Sequence, residues 1–213
     1  MRAATLAAIG KHRCTAILRT TKASAVRPAL DAAIAGGFRI LEITMSTPGV
    51  LYHVARLRKE DPSLVLGIGT ILSQADAQQA KEAGAQFLVS PVVQPWMLEY
   101  CKENDLVAWH GIPSAHWDCG KVSNCPFRML THELARTQFL SYATLPPPIA
   151  QGSHPSNAFE AGCQGVGFVA DLFPAREVQS GKFDVIASRA RGMTALVNEL
   201  KEKFPTLTVE NNG

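Results

Sequence analysis

One acidic residue, Glu42, lies inside an otherwise apolar run, "RILEIT" from Arg39 to Thr44, just before the turn "MSTPG". Strand alternation predicts that its side chain lies on a buried face, where an unpaired ionised carboxylate is costly. We interpret Glu42 as a proton-transferring acid or base, because titratable groups at such positions are often functional. The alternative is a structural ion pair with a lysine or arginine in the wall of the fold.

Two further residues end apolar runs of the same kind. Thr70 follows "LGIG" and Pro91 follows "FLVS". Gly67 and Gly69, ahead of Thr70, would allow another group to approach the strand backbone closely. On spacing alone, the Thr70 hydroxyl is equally well explained by a strand-to-helix turn. The presence of Pro91 is explained equally simply by the end of its strand.

The elements that would position these residues alternate along the chain. Six apolar runs typical of strands begin at Cys14, Phe38, Leu64, Gln86, Leu106 and Cys163. Helical segments follow them, with Ser24 and Ser73 as N-caps, Pro48 opening a third helix, and a long helix over 183–204. This alternation predicts a parallel sheet with right-handed crossovers.

Eight such units would close a (β/α)8 TIM-type barrel, whose chemistry is found at the carboxyl ends of its strands. We predict this α/β fold as a single domain over 1–213, incomplete or distorted around strands 6 and 7. An open doubly wound sheet is the alternative. Residues 205–213 are predicted to form a disordered tail.

Composition narrows the classes of function. The net charge of +3 is too small to indicate a nucleic-acid partner, and no apolar run reaches the roughly 18 residues of a membrane span, so a membrane-embedded protein is not expected. The five cysteines are odd in number and contain no CxxC pair, which favours a reducing compartment. The basic start of the chain is similar to a transit peptide, but we assign it to the first strand and helix. The cytoplasm is therefore expected, with a plastid as the alternative.

The segment 114–157 differs from the rest of the chain. It holds three of the six histidines and two of the five cysteines, with little clean periodicity. Its metal-ligating side chains follow no standard zinc spacing, so we predict no metal site there. They are His116, Cys119, Cys125 and His132.

The order of motifs outside this segment resembles one enzyme family. "GGFRILEITMSTPGV", "LGIGTIL", "EAGAQFLVSP" and "HGIP" are similar to the 2-keto-3-deoxy-6-phosphogluconate (KDPG) and 4-hydroxy-2-oxoglutarate (KHG) aldolases, especially plant-type members. The resemblance implies a class I aldolase without a cofactor, which forms a Schiff base between a sixth-strand lysine and a keto acid and releases pyruvate and an aldehyde. It implies that Glu42 moves protons, that Thr70 and Pro91 line the pyruvate pocket, and that the protein is a homotrimer.

The resemblance fails where the lysine should be. Counting along the family pattern reaches Phe127 or Arg128, neither of which can form a Schiff base, since a guanidinium stays protonated in proteins. Lys121 is the only lysine in the segment and is our candidate, although a solvated loop lysine is the simpler interpretation.

The anion-binding positions also differ from those of the family. Ser46 stands where many relatives have an arginine for the substrate carboxylate, although plant-type members share the serine. In "AQGSHPSNAF", Gly152 retains one of the two glycines of the family's phosphate loop. Val169 stands where a phosphate-facing serine is common. A pyruvate-like end of the substrate is thus better supported than a phosphate.

Three interpretations remain open from the sequence. The first is an aldolase-type lyase acting on a small keto acid. The second is an inactive family member that binds a keto acid or only its own subunits. The third is that 114–157 comes from a misread exon or a frameshift.

Overall fold

The computed structural model describes residues 1–113, 127–131, 141–144, 155–160, 163 and 165–205. Eight strands lie within these ranges: β1 (Cys14–Leu18), β2 (Ile40–Thr44), β3 (Val65–Gly69), β4 (Phe87–Ser90), β5 (Val107–Pro113), β6 (Phe127–Thr131), β7 (Ser141–Thr144) and β8 (Gly165–Phe168). Eight helices accompany them in the described part: α1 (Arg2–His12), α2 (Ala23–Ala35), α3 (Val50–Glu60), α4 (Gln74–Glu82), α5 (Pro95–Glu103), α6 (Pro155–Glu160), α7 (Ala175–Ser180) and α8 (Phe183–Lys203). The candidate residues Lys121 and Gly152 lie outside the described residues, as do nearly all of the predicted tail 205–213 and the four metal-ligating side chains for which no zinc site is predicted.

Six strands form a curled parallel sheet in the order β8, β1, β2, β3, β4, β5. The strand order follows the chain, and β7 pairs with β8, so that the ring from β1 to β8 returns on itself. This sequential order contradicts the open doubly wound alternative, in which the strand order reverses at a switch point. The α/β architecture with a TIM-like parallel sheet is therefore confirmed.

The regular (β/α)8 repeat is not completed. Strand β6 runs antiparallel to both β5 and β7. Antiparallel neighbours can be joined without a helical crossover, and between β5 and β7 the described residues contain no helix. The predicted distortion around strands 6 and 7 coincides with this reversed strand.

The structure confirms one of the three helix starts predicted from a cap or a proline and contradicts two. Ser73 caps α4 as predicted, with a complete capping box in which Ser73 and Asp76 satisfy each other's backbone N–H groups. The predicted cap at Ser24 is wrong, because α2 begins at Ala23 after Lys22. The predicted start of α3 at Pro48 is two residues early, since Gly49 takes a left-handed conformation (φ 70°) ahead of Val50.

The core has two apolar layers that follow strand alternation. One layer packs the outward faces of the strands against the helices. The other fills the ring and contains Ile17, Ile40, Val65, Phe87, Val89, Val107 and Trp109, together with Ile9 from α1. The ring centroids of Phe87 and Trp109 lie 4.6 Å apart within this layer.

Helix α1 was not predicted from the sequence. Only Thr5 and Ile9 of its residues are buried, and Leu6, Ala8 and Ile9 contact the interior layer. The helix contacts β3 and β5. Its role is therefore to cover one end of the ring, and the carboxyl ends of the parallel strands are left to carry the polar residues.

Candidate active site

Glu42 lies in the middle of β2 with its side chain directed into the ring. Ile40, two residues earlier on the same face, belongs to the interior layer, and Glu42 pairs in register with Ile17 and Gly67. Only 4% of Glu42 is exposed. The expectation that strand alternation buries this acid inside the fold agrees with its position.

Two glycines of β3 make room for the groups beside them. A Cβ atom on Gly69 would lie 2.8 Å from Cδ of Glu42 and closer still to Oε1. A Cβ atom on Gly67 would overlap the ring of Phe87. The expected close approach to the β3 backbone is therefore observed at both positions, by a carboxyl group at one and by an aromatic ring at the other.

The surroundings of Glu42 favour its protonated form. Burial raises the pKa of its carboxyl group to about 8, against a smaller opposing effect of the Arg19 charge. Among the described residues, no hydrogen-bond partner reaches Oε2. A carboxyl group that gains and loses its proton near neutral pH is suited to general acid and base catalysis.

Arg19 lies at the same edge and was not singled out from the sequence. It directly follows β1, and its Nη2 atom donates a hydrogen bond of 3.1 Å to Oγ1 of Thr70. Its side chain is exposed at the rim, and its charge acts on Glu42. The available signal was its place one residue beyond a strand, the same rule that singled out Thr70.

Thr70 holds an unusual backbone conformation at the end of β3. Its φ angle is 61°, in the left-handed region, which is sterically unfavourable for a β-branched residue. Such strain costs about 1–3 kcal/mol and is concentrated at functional sites. The conformation places the Thr70 hydroxyl where it accepts the Arg19 hydrogen bond, which supports more than a turn role for this residue.

Hydroxyl groups line the end of β2. Thr44 Oγ1 lies 3.2 Å from Ser46 Oγ and 3.0 Å from Thr47 Oγ1. Thr44 and Thr47 are buried, whereas Ser46 is exposed. Thr47 also receives a hydrogen bond of 3.5 Å from the backbone N–H of Thr20, which follows β1. The ends of β1 and β2 are thus joined by polar contacts next to Arg19.

Pro91 lies at the same rim but makes a different contribution. It is exposed directly after β4, and the loop it begins is held by Gln94. The Gln94 side-chain amide donates to Ser90 Oγ at 2.5 Å and to the Ile71 carbonyl at 3.0 Å. These contacts join the ends of β3 and β4, so that Thr70 and Pro91 belong to one connected edge.

The structure does not provide a lysine at the sixth strand. In the register of β6, Phe127 is opposite Pro113 and Arg128 is opposite Ile112, at the carboxyl end of β5. The strand reads "FRMLT". Among the described residues, no group of three or more metal-ligating side chains could hold an ion.

The fold and this edge define a class of protein: a TIM-like α/β protein with a buried acid inside its ring and a cation at the carboxyl ends of its parallel strands. A sequence model of the family described as "KDPG and KHG aldolase" matches residues 7–116, which is more than half of the chain. The protein belongs to the KDPG and KHG aldolase family.

Individual relatives agree with this assignment. A 2-dehydro-3-deoxy-phosphogluconate aldolase of Treponema pallidum is 40% identical over 88 residues, 41% of this chain and 42% of the relative. A KHG/KDPG aldolase of Escherichia coli K12 is 34% identical over 85 residues, 40% of each chain. The chain thus matches about two fifths of the length of these relatives.

Solved structures support the fold over a longer stretch. A KDPG aldolase of Legionella pneumophila, solved with pyruvate captured as a covalent carbinolamine, has a TM-score of 0.62 and 15% identity. The match covers 88% of this chain and 97% of that one. No described helix is long and apolar enough to cross a membrane.

Proposed function

We propose that this protein is an aldolase-type lyase that cleaves a KDPG-like or KHG-like 2-oxo acid to pyruvate and an aldehyde. One observation carries the proposal: Glu42 is a buried carboxyl group with a pKa raised to about 8, next to the Arg19–Thr70 pair. Reversible protonation near neutral pH is what such a cleavage requires of its acid and base.

Arg19 and the neighbouring hydroxyl groups would bind the substrate carboxylate. A guanidinium group matches a carboxylate with two parallel N–H donors, and Thr44, Ser46 and Thr70 lie at the same edge. Arg19 would then take the part that an arginine at position 46 takes in many relatives. Pro91 would form the wall of the pocket on the β4 side.

The chemistry would proceed through a Schiff base. A lysine amine attacks C2 of the 2-oxo acid, Glu42 protonates the carbonyl oxygen, and water leaves to give an iminium ion. The Glu42 carboxylate then takes the proton of the C4 hydroxyl group as the C3–C4 bond breaks, which releases the aldehyde and leaves an enamine. Protonation of the enamine at C3 and hydrolysis release pyruvate and the amine.

Lys121 would supply the amine, and Gly152 would offer a backbone N–H group to the far end of the substrate. Both lie outside the described residues. Val169, after β8, is partly buried and packs against the interior layer, which provides no hydroxyl group for a phosphate. The pyruvate-forming end of the substrate is therefore the part that this proposal defines.

A second candidate function is the binding of a 2-oxo acid without cleavage. The observation in its favour is that β6, the strand expected to carry the amine, contains Phe127 and Arg128 but no lysine. The acid half of the site would then bind and orient a keto acid that no amine attacks.

Borohydride trapping separates the two candidates. The protein is incubated with pyruvate and borohydride, and the adduct is located by peptide mapping, which also establishes the protein sequence across 114–157. We expect an adduct at Lys121 that is absent from the Lys121→Met variant and retained in Lys22→Met, a control for an exposed lysine at the rim. Pyruvate binding by calorimetry without an adduct on any lysine would favour binding alone.

We further propose a homotrimer that works in the cytoplasm. Family membership supports this proposal. A second support is that Leu72, Val92 and Val93 are exposed apolar side chains near the site edge, where a subunit contact could cover them. Native mass measurement of the purified protein is expected to give three copies of the chain, and a monomer at micromolar concentration would contradict the proposal.

A further inference from the structure

Strand β3 receives two different groups at its two inward glycines. Val65, at the start of the strand, belongs to the interior layer, and Gly67 and Gly69 follow on the same face by strand alternation. Phe87 of β4 occupies the space at Gly67, and Glu42 of β2 occupies the space at Gly69. One strand therefore makes room for both the Phe87 ring and the Glu42 carboxyl group.

Gly69 is needed for its missing side chain and not for an unusual backbone. It is not among the glycines with a positive φ angle, so an L-residue could adopt its conformation. A Cβ atom there would instead lie 2.8 Å from Cδ and 3.2 Å from Cγ of Glu42, and nearest of all to Oε1. All three of its nearest neighbours are Glu42 atoms, so any side chain at position 69 must displace the carboxyl group.

The direction of displacement matters because the two sides of Glu42 differ. Toward the ring interior lies the apolar layer with Phe87, whereas Arg19 is exposed at the rim and its charge lowers the pKa of Glu42. Gly69 is buried and pairs in register with Thr44. A larger residue at 69 would move the carboxyl group away from its place over β3.

We infer that Gly69 is a positioning residue for Glu42, holding the carboxyl group over the β3 backbone in the apolar interior by leaving that space empty. Its value for catalysis rests on the proposed function, but the positioning itself does not. Gly67 provides the matched comparison, since it makes the same allowance for Phe87 on the same strand.

The test is a titration of Glu42 that needs no activity. Carbon-13 NMR of glutamate-labelled protein follows the Glu42 carboxyl group, assigned by its loss in Glu42→Gln. In Gly69→Ala we expect its pKa to fall by about one unit or more, a tenfold loss of proton affinity. In Gly67→Ala we expect a lower urea midpoint while the Glu42 pKa stays raised. An unchanged Glu42 titration in folded Gly69→Ala, or an equal shift in both variants, would overturn the inference.

A double-mutant cycle covers the case in which Gly69→Ala does not fold. In the Glu42→Ala background the obstructing atoms are absent, so Gly69→Ala should leave the urea midpoint nearly unchanged there. Equal destabilisation in both backgrounds would overturn the inference, since the obstruction would then not be Glu42. Failure of borohydride trapping alone would count against the lyase proposal and leave these results untouched.

Discussion

The first five strands and the segment from 114 to 157 differ in how much of the family pattern they keep. From β1 to β5, strands and helices alternate, the strands are parallel, and the acid lies in the ring. After β5, β6 reverses direction and carries no lysine. The family match ends at residue 116, where this change begins.

This difference shows that Glu42 and the strand expected to carry the amine depend on different parts of the fold. The position of Glu42 depends on the register of the parallel strands and on the interior apolar layer, both of which belong to the core of the domain. The position of Glu42 in the ring therefore does not depend on which residues β6 carries.

The largest expected effect concerns the acid half. Glu42→Gln removes the proton that the proposed cleavage needs, and we expect the rate of carbon–carbon cleavage to fall by about 10²- to 10⁴-fold. A coupled assay for pyruvate measures it, with Glu99→Gln, an exposed carboxylate on α5, as the control. Equal rates in wild type and Glu42→Gln would remove Glu42 from the mechanism.

The pH dependence of stability should follow from the same residue. The folded-state pKa of Glu42, about 8, lies above its ordinary value, so the folded state holds this proton more tightly than the unfolded state. The stabilisation is complete below about pH 4.5 and is lost as the pH rises to about 8, by as much as about 5 kcal/mol.

Urea unfolding at pH 5 and pH 8 checks this expectation. The difference between the two pH values should shrink in Glu42→Gln, whose side chain does not titrate, and should persist in Glu99→Gln. If the dependence is the same in Glu42→Gln as in wild type, the Glu42 pKa is not raised.

The packing of Phe87 in the interior layer is expected to affect both the stability of the protein and the pKa of Glu42. Phe87 is fully buried and contacts Trp109, so Phe87→Ala is expected to lower the free energy of unfolding by about 3–5 kcal/mol. It should also lower the pKa of Glu42 by admitting water beneath it. Chemical denaturation and the Glu42 titration measure the two effects, and Phe87→Leu should show smaller changes in both.

The smallest expected effect is at the rim. Arg19→Met removes a charge that lowers the pKa of Glu42, so this pKa should rise, and pyruvate binding should weaken by about tenfold, as for the loss of one hydrogen bond to a charged group. Lys22→Met is the control for loss of a neighbouring cation. If the two variants bind pyruvate equally well, Arg19 is not the carboxylate ligand.

Sequence patterns predicted the strands of the first half within one or two residues. Alternation identified Glu42 as inward, and the "LGIGT" motif identified the close approach at Gly67 and Gly69. These signals are local, because the period of a strand is two and a glycine removes a side chain wherever it stands. Local signals failed at Ser24, which lies inside α2, and at α1, whose apolar residues pack on the interior layer of a ring formed by distant strands.

By itself, the sequence determined that an acid lies within the second strand, that Thr70 and Pro91 end the third and fourth, and that no lysine stands at 127 or 128. Only the tertiary structure decided that Arg19 meets Thr70, that β6 runs in reverse, and that the Glu42 pKa is raised. The reason is physical: strand periodicity depends on residues that are neighbours in the sequence, whereas burial and the approach of charges depend on which strands lie side by side.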